Sequence, residues 1–324
     1  MLKTHPVLRI VNKTGAALER VRDDLAGLLD FRGDPVFMGH RMGEFRHYPE
    51  NLNTTDRLGE YKEVTEMMDE NFRFFGCTGL ELDVRVASTP PEPGSDDTVF
   101  VVHDALKDDL PAPCLAYLQR NRLETVIKHF IRKKYYETKL LAIEFKLNKR
   151  WYDSRKGFLT AEHAYAERLT EATVATIERV CKELKLTKAV LRKVRRNIAF
   201  ACFHLPALEH AHAAGGDDYR YYLIASTDRF WSGWINRLLW KNPALRGQQL
   251  ERVAGCDWLT GVWFDPLFYD TPVATFNDLN LRADGRLTFF VATYYSGFDR
   301  LKDKLARERS QPPLPVTGLF FDLW

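Results

Sequence analysis

The sequence predicts a (β/α)₈ barrel, and three observations lead to that fold class. Short β-rich runs alternate with longer segments of helical periodicity, which is typical of parallel strands joined by helical crossovers. No internal repeat and no linker-like tract divides the 324 residues. Barrels of this class often exceed 250 residues as one unit, so a single domain over 1–324 is expected, with 1–34 as an N-terminal helical extension.

Nine β-rich runs are predicted to be strands. In chain order they cover 36–38, 80–86, 99–102, 140–146, 198–203, 221–225, 258–264, 287–292 and 318–323. Only the loop 87–98 separates the second run from the third, and a parallel crossover needs more chain than this. The third run is therefore predicted to be an antiparallel insertion after the second strand, which leaves eight strands for the barrel.

The segments between the strands have helical patterns, as does the amphipathic segment 16–29 that precedes them. The predicted crossover helices cover 54–75, 115–136, 160–184, 205–213, 231–240, 275–280 and 299–310. The basic stretch 182–196 is interpreted as one solvated helix face and its following turn.

Composition and charge exclude several classes of protein. Apolar residues make up 45% of the chain, with 21 Phe, 13 Tyr and 7 Trp, so a large buried core is expected. A net charge of only +3 gives no global attraction to nucleic acid or to an anionic membrane. We therefore expect a small-molecule ligand, no nucleic-acid partner and no transmembrane segment, and we leave the oligomeric state open.

The five cysteines are scattered and include no C-x-x-C pair. This pattern indicates neither a disulfide framework nor a thiolate zinc site. The N-terminus lacks the basic and apolar regions of a signal peptide, so a cytoplasmic location is expected.

Two strands each carry acidic residues on one face. In GLELDVRV the apolar side chains alternate with Glu81, Asp83 and Arg85, and LLAIEFKL alternates in the same way around Glu144 and Lys146. Because the apolar face must pack on the helices, the charged face points into the barrel. Buried carboxylates need a cation or hydrogen bonds to compensate them. Three carboxylates suit Mg²⁺ or Ca²⁺, which take oxygen ligands.

Two histidines follow the ends of predicted strands, which is where barrel enzymes carry their catalytic groups. His40 comes after VFMG and His103 after VFVV. An imidazole can accept or donate a proton near neutral pH, and the adjacent Arg41 offers a planar fork for a phosphate oxygen.

The order of these motifs resembles that of the glycerophosphodiester phosphodiesterase family, within the phospholipase C-like phosphodiesterase barrels, over about 36–324. The motifs that carry the resemblance are His40-Arg41, Pro49-Glu50-Asn51, Glu81-Leu82-Asp83-Val84, Val102-His103-Asp104 and Glu144-Phe145-Lys146.

The resemblance implies a role for each residue of these motifs. Glu81, Asp83 and Glu144 would hold the metal, and His40 and His103 would act as general base and acid. Arg41 and Lys146 would bind the phosphate of a glycerophosphodiester-like substrate. Further residues of the motifs and strand ends would lie near the substrate pocket or behind the ligands: Glu50, Asn51, Cys202, Phe203, Thr293, Tyr294 and Asp322.

The chain departs from the family pattern mainly at the walls of the pocket. Met42 lengthens the first loop, Leu52 replaces a threonine, and Ala292-Thr293-Tyr294-Tyr295 replaces Trp-Thr-Val-Asn. Three alternatives to hydrolysis of a glycerophosphodiester therefore stay open. They are synthesis of a sugar phosphodiester, as in agrocinopine synthases; cleavage of lipid head groups, as in phospholipase D and sphingomyelinase D-like enzymes; and an inactive binding barrel.

Overall fold

In the computed structural model the described residues are 15–43, 46–87, 97–147, 160–225, 250–264, 273–292, 297–308 and 313–321. Nine strands lie in these ranges. They are β1 (Leu29–Gly39), β2 (Gly79–Arg85), β3 (Phe100–Val101), β4 (Leu140–Phe145), β5 (Ile198–Cys202), β6 (Arg220–Ala225), β7 (Gly261–Phe264), β8 (Thr288–Ala292) and β9 (Leu314–Phe321).

Eight of the strands close into a parallel barrel. Each pairs in parallel with the next in the order β1, β2, β4, β5, β6, β7, β8 and β9, and β9 pairs with β1 to complete the ring. Strand β3 lies outside the ring and pairs antiparallel with β2. The predicted (β/α)₈ barrel and its antiparallel insertion are thus confirmed.

Helices surround the ring in the described part of the chain. They are α1 (Gly15–Leu25), α2 (Val64–Arg73), α3 (Ala112–Arg120), α4 (Leu123–Arg132), α5 (Thr160–Glu183), α6 (Lys188–Arg196), α7 (Leu205–Gly215), α8 (Val273–Arg282) and α9 (Gly297–Arg307). Among them, none combines the length and the apolar character that crossing a membrane requires.

Two sets of apolar side chains fill the two sides of the sheet. The larger cluster lies between the strands and the helices and includes Leu80, Leu82 and Val84 of β2. A smaller cluster fills the barrel itself, and its buried members are Met38, Leu140, Ala142, Ala199, Ala201, Tyr222, Ile224, Trp263, Phe290, Ala292 and Phe320. Alternate residues of each strand therefore face the helices or the interior, as a parallel barrel requires.

Strand β1 begins seven residues earlier than the predicted 36–38. Its pairing with β9 shifts register between Phe31 and Val36, and the intervening residues are largely exposed. The polar run with Gly33 and Pro35 resembles a loop in sequence, but it is a bulge within a longer strand.

Three helical predictions also differ from the structure. The helix predicted over 54–75 is the shorter α2, after a 3₁₀ turn at Leu58–Glu60. The segment 115–136 is divided into α3 and α4 at Asn121, whose carbonyl accepts from Val101 N in β3. The stretch 182–196 contains the end of α5, a turn, and the further helix α6, which was not predicted. The predicted helix 231–240 lies outside the described residues.

Candidate active site at the carboxyl ends of β1, β2 and β4

The charged residues of β2 and β4 meet on the inner face of the barrel. These strands are paired in register, with Asp83 opposite Glu144. Glu81 and Asp83 are completely buried, and Glu144 is 4% exposed. One carboxylate oxygen from each of the three lies within 4.8 Å of the others. Strand alternation thus produces a compact group of three buried carboxylates, called the acidic cluster below.

Cationic groups partly compensate the acidic cluster. Lys146 Nζ lies 2.5 Å from Glu144 Oε1 and 3.1 Å from Asp83 Oδ1. Arg41 Nε lies 3.6 Å from Asp83 Oδ2. Although these are ion-pair distances, neither Asp83 oxygen receives a hydrogen bond from the described residues, nor does Glu81 Oε1. Three buried carboxyl oxygens therefore keep unused acceptor capacity.

The pKa values of the three carboxyl groups in the acidic cluster shift in different directions. Burial, with the charges of Asp83 and Glu144, raises the pKa of Glu81 well above its usual range. Burial also raises the pKa of Glu144, although Lys146 opposes the shift. For Asp83 burial acts in the same direction, but the charges of Lys146, His103 and Arg41 outweigh it and lower the pKa. The cluster thus carries more carboxylates than its neighbouring cations stabilise.

A hard divalent cation fits this donor set. Mg²⁺ and Ca²⁺ prefer carboxylate oxygens, and each tolerates further ligands from water or substrate. Oxygens of Glu81 and Asp83 accept no hydrogen bond from the described residues, and one oxygen of each converges with one of Glu144. The acidic cluster is therefore a candidate metal centre.

The turn after β1 has an unusual backbone conformation. Arg41 (φ 46°, ψ 58°) and Met42 (φ 58°, ψ 14°) are left-handed, as is Gly43. Each left-handed non-glycine residue costs roughly 1–2 kcal/mol. The turn directs Arg41 N to Glu81 Oε2 at 2.8 Å, while the Met42 side chain is buried in the outer cluster. The extra residue in the first loop is thus absorbed without displacing Arg41 from the acidic cluster.

The turn also opens a gap in the barrel ladder. Strand β1 pairs with β2 only at Met38–Gly79 and Gly39–Leu80. Beyond this point the fully buried Tyr48 takes the place of the missing strand, because its hydroxyl accepts from Asp83 N at 2.7 Å. Tyr48 thereby fixes the main chain that carries Asp83.

His40 and His103 approach the cluster from different elements. His40 Nε2 lies 4.0 Å from Glu81 Oε2, and its ring contacts that of Phe320 with centroids 5.4 Å apart. His103 follows β3, and its Nδ1 is 2.8 Å from Asp104 Oδ1. This contact leaves Nε2 as the imidazole nitrogen that faces away from Asp104.

The His103 imidazole is neutral at pH 7. Burial, aided by the charge of Lys146, lowers its pKa to about 4, although the hydrogen bond with Asp104 opposes the shift. A neutral imidazole has a nitrogen that can accept a proton.

The Pro-Glu-Asn loop supports Arg41 instead of the acidic cluster. Glu50 Oε1 lies 3.3 Å from Arg41 Nη1. Asn51 is exposed, and its Oδ1 accepts two hydrogen bonds from Asn53. Leu52 is buried in an apolar cluster with residues from β3 and α3, so its side chain packs away from the acidic cluster's charged groups.

The structure separates two of the predicted pocket residues. Cys202 lies in the outer cluster with Phe200 and Ile198, and burial raises the pKa of its thiol to about 12. Phe203 packs against the interior cluster, with Lys146 Nζ 6.0 Å from its ring centroid. Phe203 thus lies beside the acidic cluster, whereas the Cys202 side chain lies between the strands and the helices. Thr293, Tyr294 and Asp322 lie outside the described residues.

Two residues without a predicted role contact the predicted site residues. Strand alternation places Arg85 on the same face as Asp83, but the sequence does not show what it binds. Its Nε donates to His103 O at 2.7 Å and its Nη1 to Lys146 O at 3.0 Å. Tyr48 gave no signal in sequence, because its role depends on the gap beside β2.

Comparisons with known proteins add a distant structural likeness. No family model matches the chain, and no curated protein matches it. Two solved structures of a calcium-dependent phosphoinositol-specific phospholipase C from a Gram-negative bacterium, Pseudomonas sp., are similar to it.

The phospholipase C determined in apo form with a myoinositol complex is 10% identical, with a TM-score of 0.40, and the alignment covers 90% of this chain and 95% of that one. Its apo crystal form 1 is 11% identical, with a TM-score of 0.38 and coverage of 92% and 94%. Likeness at this level does not bear on activity. The class that the described residues themselves define is a (β/α)₈ barrel with an acidic cluster at its carboxyl-terminal end.

Proposed function

We propose that this protein is a metal-dependent phosphodiesterase that cleaves a glycerophosphodiester-like substrate by general acid–base catalysis. The observation that carries the proposal is the buried acidic cluster, whose unused acceptor oxygens lie beside Arg41 and Lys146. An enzyme that binds a phosphodiester needs cationic groups around the phosphate, and Arg41 and Lys146 place two such groups beside the acidic cluster.

Glu81, Asp83 and Glu144 would hold a divalent cation, Mg²⁺ or Ca²⁺. Bound there, the cation supplies Lewis-acid stabilisation of charge on the phosphate oxygens. Arg41 orients a phosphate oxygen through its planar fork, and Lys146 provides a compact positive charge.

His40 and His103 would carry the proton transfers. One imidazole removes the proton from a hydroxyl of the substrate next to the phosphate. The hydroxyl oxygen forms a bond to phosphorus while the bond from phosphorus to the leaving alcohol breaks, and the other imidazole donates a proton to that alcohol. Water then opens the resulting cyclic phosphate with the two roles reversed, so the net reaction is hydrolysis.

A product analysis tests the proposal. The protein is incubated with a panel of glycerophosphodiesters and lysophospholipids in Mg²⁺, Ca²⁺ or EDTA, and the products are followed by phosphorus NMR. We expect a cation-dependent phosphomonoester, with a cyclic phosphate as a transient. A new diester formed only when a sugar is added would instead indicate a transferase, and a stable cyclic product would indicate a lyase.

A matched pair of variants separates catalysis from folding. His103→Gln removes the proposed acid–base group, whereas His129→Gln removes a histidine that also contacts an aspartate, Asp69, but lies on α4. We expect only the first to abolish cleavage. If the unmodified protein cleaves none of the substrates in a cation-dependent reaction, the proposed function is contradicted.

A further inference from the structure

Arg85 joins the two residues that reach the site from different sides of β2. Its side chain is 5% exposed, and its guanidinium donates to main-chain carbonyls of His103 and Lys146. An arginine fork holds two acceptors at a fixed spacing because its donors lie in one rigid plane.

Both carbonyls lie where the ladders of β2 end. On one side the last register pair of β2 and β4 joins Val84 to Phe145, just before Lys146. On the other side β3 pairs with β2 only at Val84–Val101 and Arg85–Phe100. Main-chain carbonyls need partners when buried, and here a side chain supplies them instead of a strand.

His103 and Lys146 each have further contacts besides Arg85. Lys146 N still donates to Val84 O, and its ammonium is held by Glu144. His103 follows a strand of only two residues and is held by the bond from its N to Pro49 O and by Asp104. These contacts hold each residue to its own surroundings, whereas Arg85 joins the main chain at His103 to the main chain at Lys146.

We propose that Arg85 is a positioning residue that sets the spacing between the His103 imidazole and the Lys146 ammonium across the phosphate site. The inference rests on the proposed function for its kinetic readout, but it makes a structural prediction that is independent of any substrate.

Arg85→Met keeps the bulk of the side chain and removes all its donors. We expect kcat to fall about 10²-fold, since a displacement near 1 Å at a catalytic group has effects of that size. Affinity for Ca²⁺ measured by calorimetry should stay within about twofold of the unmodified protein, because the acidic cluster is held by β2 and β4 themselves. Arg85→Lys keeps one charged donor and should have an intermediate kcat.

Two readouts distinguish positioning from a general loss of stability. The His103 imidazole resonances, assigned with His103→Gln and followed by nitrogen NMR against pH, should shift in Arg85→Met and move back towards the native values in Arg85→Lys. Guanidinium ion added at millimolar concentration to Arg85→Ala should restore part of kcat, which a merely structural defect would not allow.

Arg286→Met is the matched control, because Arg286 also donates to main-chain carbonyls, those of Leu259, Asp257 and Ala254, but at the amino-terminal end of β8. Unchanged His103 resonances in Arg85→Met would overturn the inference, as would an equal loss of kcat in Arg286→Met. If no phosphodiester is cleaved by the unmodified protein, the proposed function fails, while the imidazole resonances still decide the role of Arg85.

Discussion

The interior of the barrel has two sides that differ in chemistry. On the side formed by β2 and β4, the inward residues near the carboxyl ends are Glu81, Asp83 and Glu144, all buried. On the side formed by β6 to β9, the inward residues include Tyr222, Trp263, Phe290 and Phe320, whose rings contact one another. The same strand geometry therefore supports a charged wall and an aromatic wall.

The two walls make opposite contributions to stability. Burial of large aromatic side chains stabilises the fold by removing apolar surface from water and by specific ring contacts. Buried carboxylates cost free energy unless a cation or hydrogen bonds compensate them. The aromatic wall therefore stabilises the fold. The charged wall destabilises it when no cation is bound.

The largest expected effect is on catalysis by the charged wall. His40→Gln and His103→Gln should each lower kcat about 10²–10⁴-fold, since each imidazole moves a proton in the proposed reaction. Circular dichroism and the melting temperature should change little. If a variant keeps more than about a tenth of kcat, the substituted histidine is not part of the acid–base pair.

The aromatic wall should show the opposite behaviour. Phe290→Ala should lower the free energy of unfolding by about 3–5 kcal/mol, because it leaves a cavity among packed rings. Affinity of the folded protein for Ca²⁺ should be retained. The control is Phe74→Ala at a side chain that is 74% exposed, where we expect less than about 0.5 kcal/mol by denaturant titration.

Glu81 should be destabilising when no cation is bound. Its raised pKa means that the folded state binds more protons than the unfolded state above about pH 4.3, so stability in EDTA should fall as the pH rises from there through the raised pKa. Glu81→Gln should weaken this dependence and raise stability in EDTA at neutral pH. The part that remains comes from Glu144, whose pKa is also raised by burial.

Glu178→Gln provides the contrast for Glu81→Gln, because Glu178 is paired with Arg195 at 2.6 Å away from the site. Its substitution should lower the melting temperature in EDTA. If both glutamate variants change the stability in EDTA in the same direction, the charge of the acidic cluster does not destabilise the fold.

The smallest expected effect concerns the gap beside β2. Tyr48→Phe leaves Asp83 N without the hydroxyl acceptor and should cost roughly 1–3 kcal/mol of unfolding free energy. It should also weaken Ca²⁺ binding, because Asp83 loses its support. Tyr117→Phe removes a tyrosine hydroxyl that donates to the Lys62 carbonyl elsewhere. It should affect stability without changing cation affinity.

Much of the charged wall could be predicted from sequence because a strand imposes a period of two. Alternation alone placed Glu81, Asp83 and Glu144 on the inner face, where the structure has them. The same rule places Cys202 with Ile198 and Phe200 on the outer face, so the pocket role taken from the resemblance conflicts with the pattern of its own strand.

Contacts that depend on three-dimensional closure could not be predicted. Tyr48 acts beside Asp83 only because β1 leaves the ladder after Gly39, and no local pattern in the loop encodes that departure. The donors of Arg85 reach carbonyls 18 and 61 residues away in the chain. Periodicity shows which face of a strand a side chain lies on, but it does not show which residues contact that side chain.

The position of β3 has a consequence for how the proposed roles are divided between the barrel and its insertion. The eight-stranded ring closes without β3, which is joined to it by only two register pairs with β2. The acidic cluster therefore belongs to the barrel, whereas His103 follows a strand outside the ring. A change confined to the insertion that contains β3 would alter one of the two proposed acid–base groups and would leave the proposed cation ligands in place.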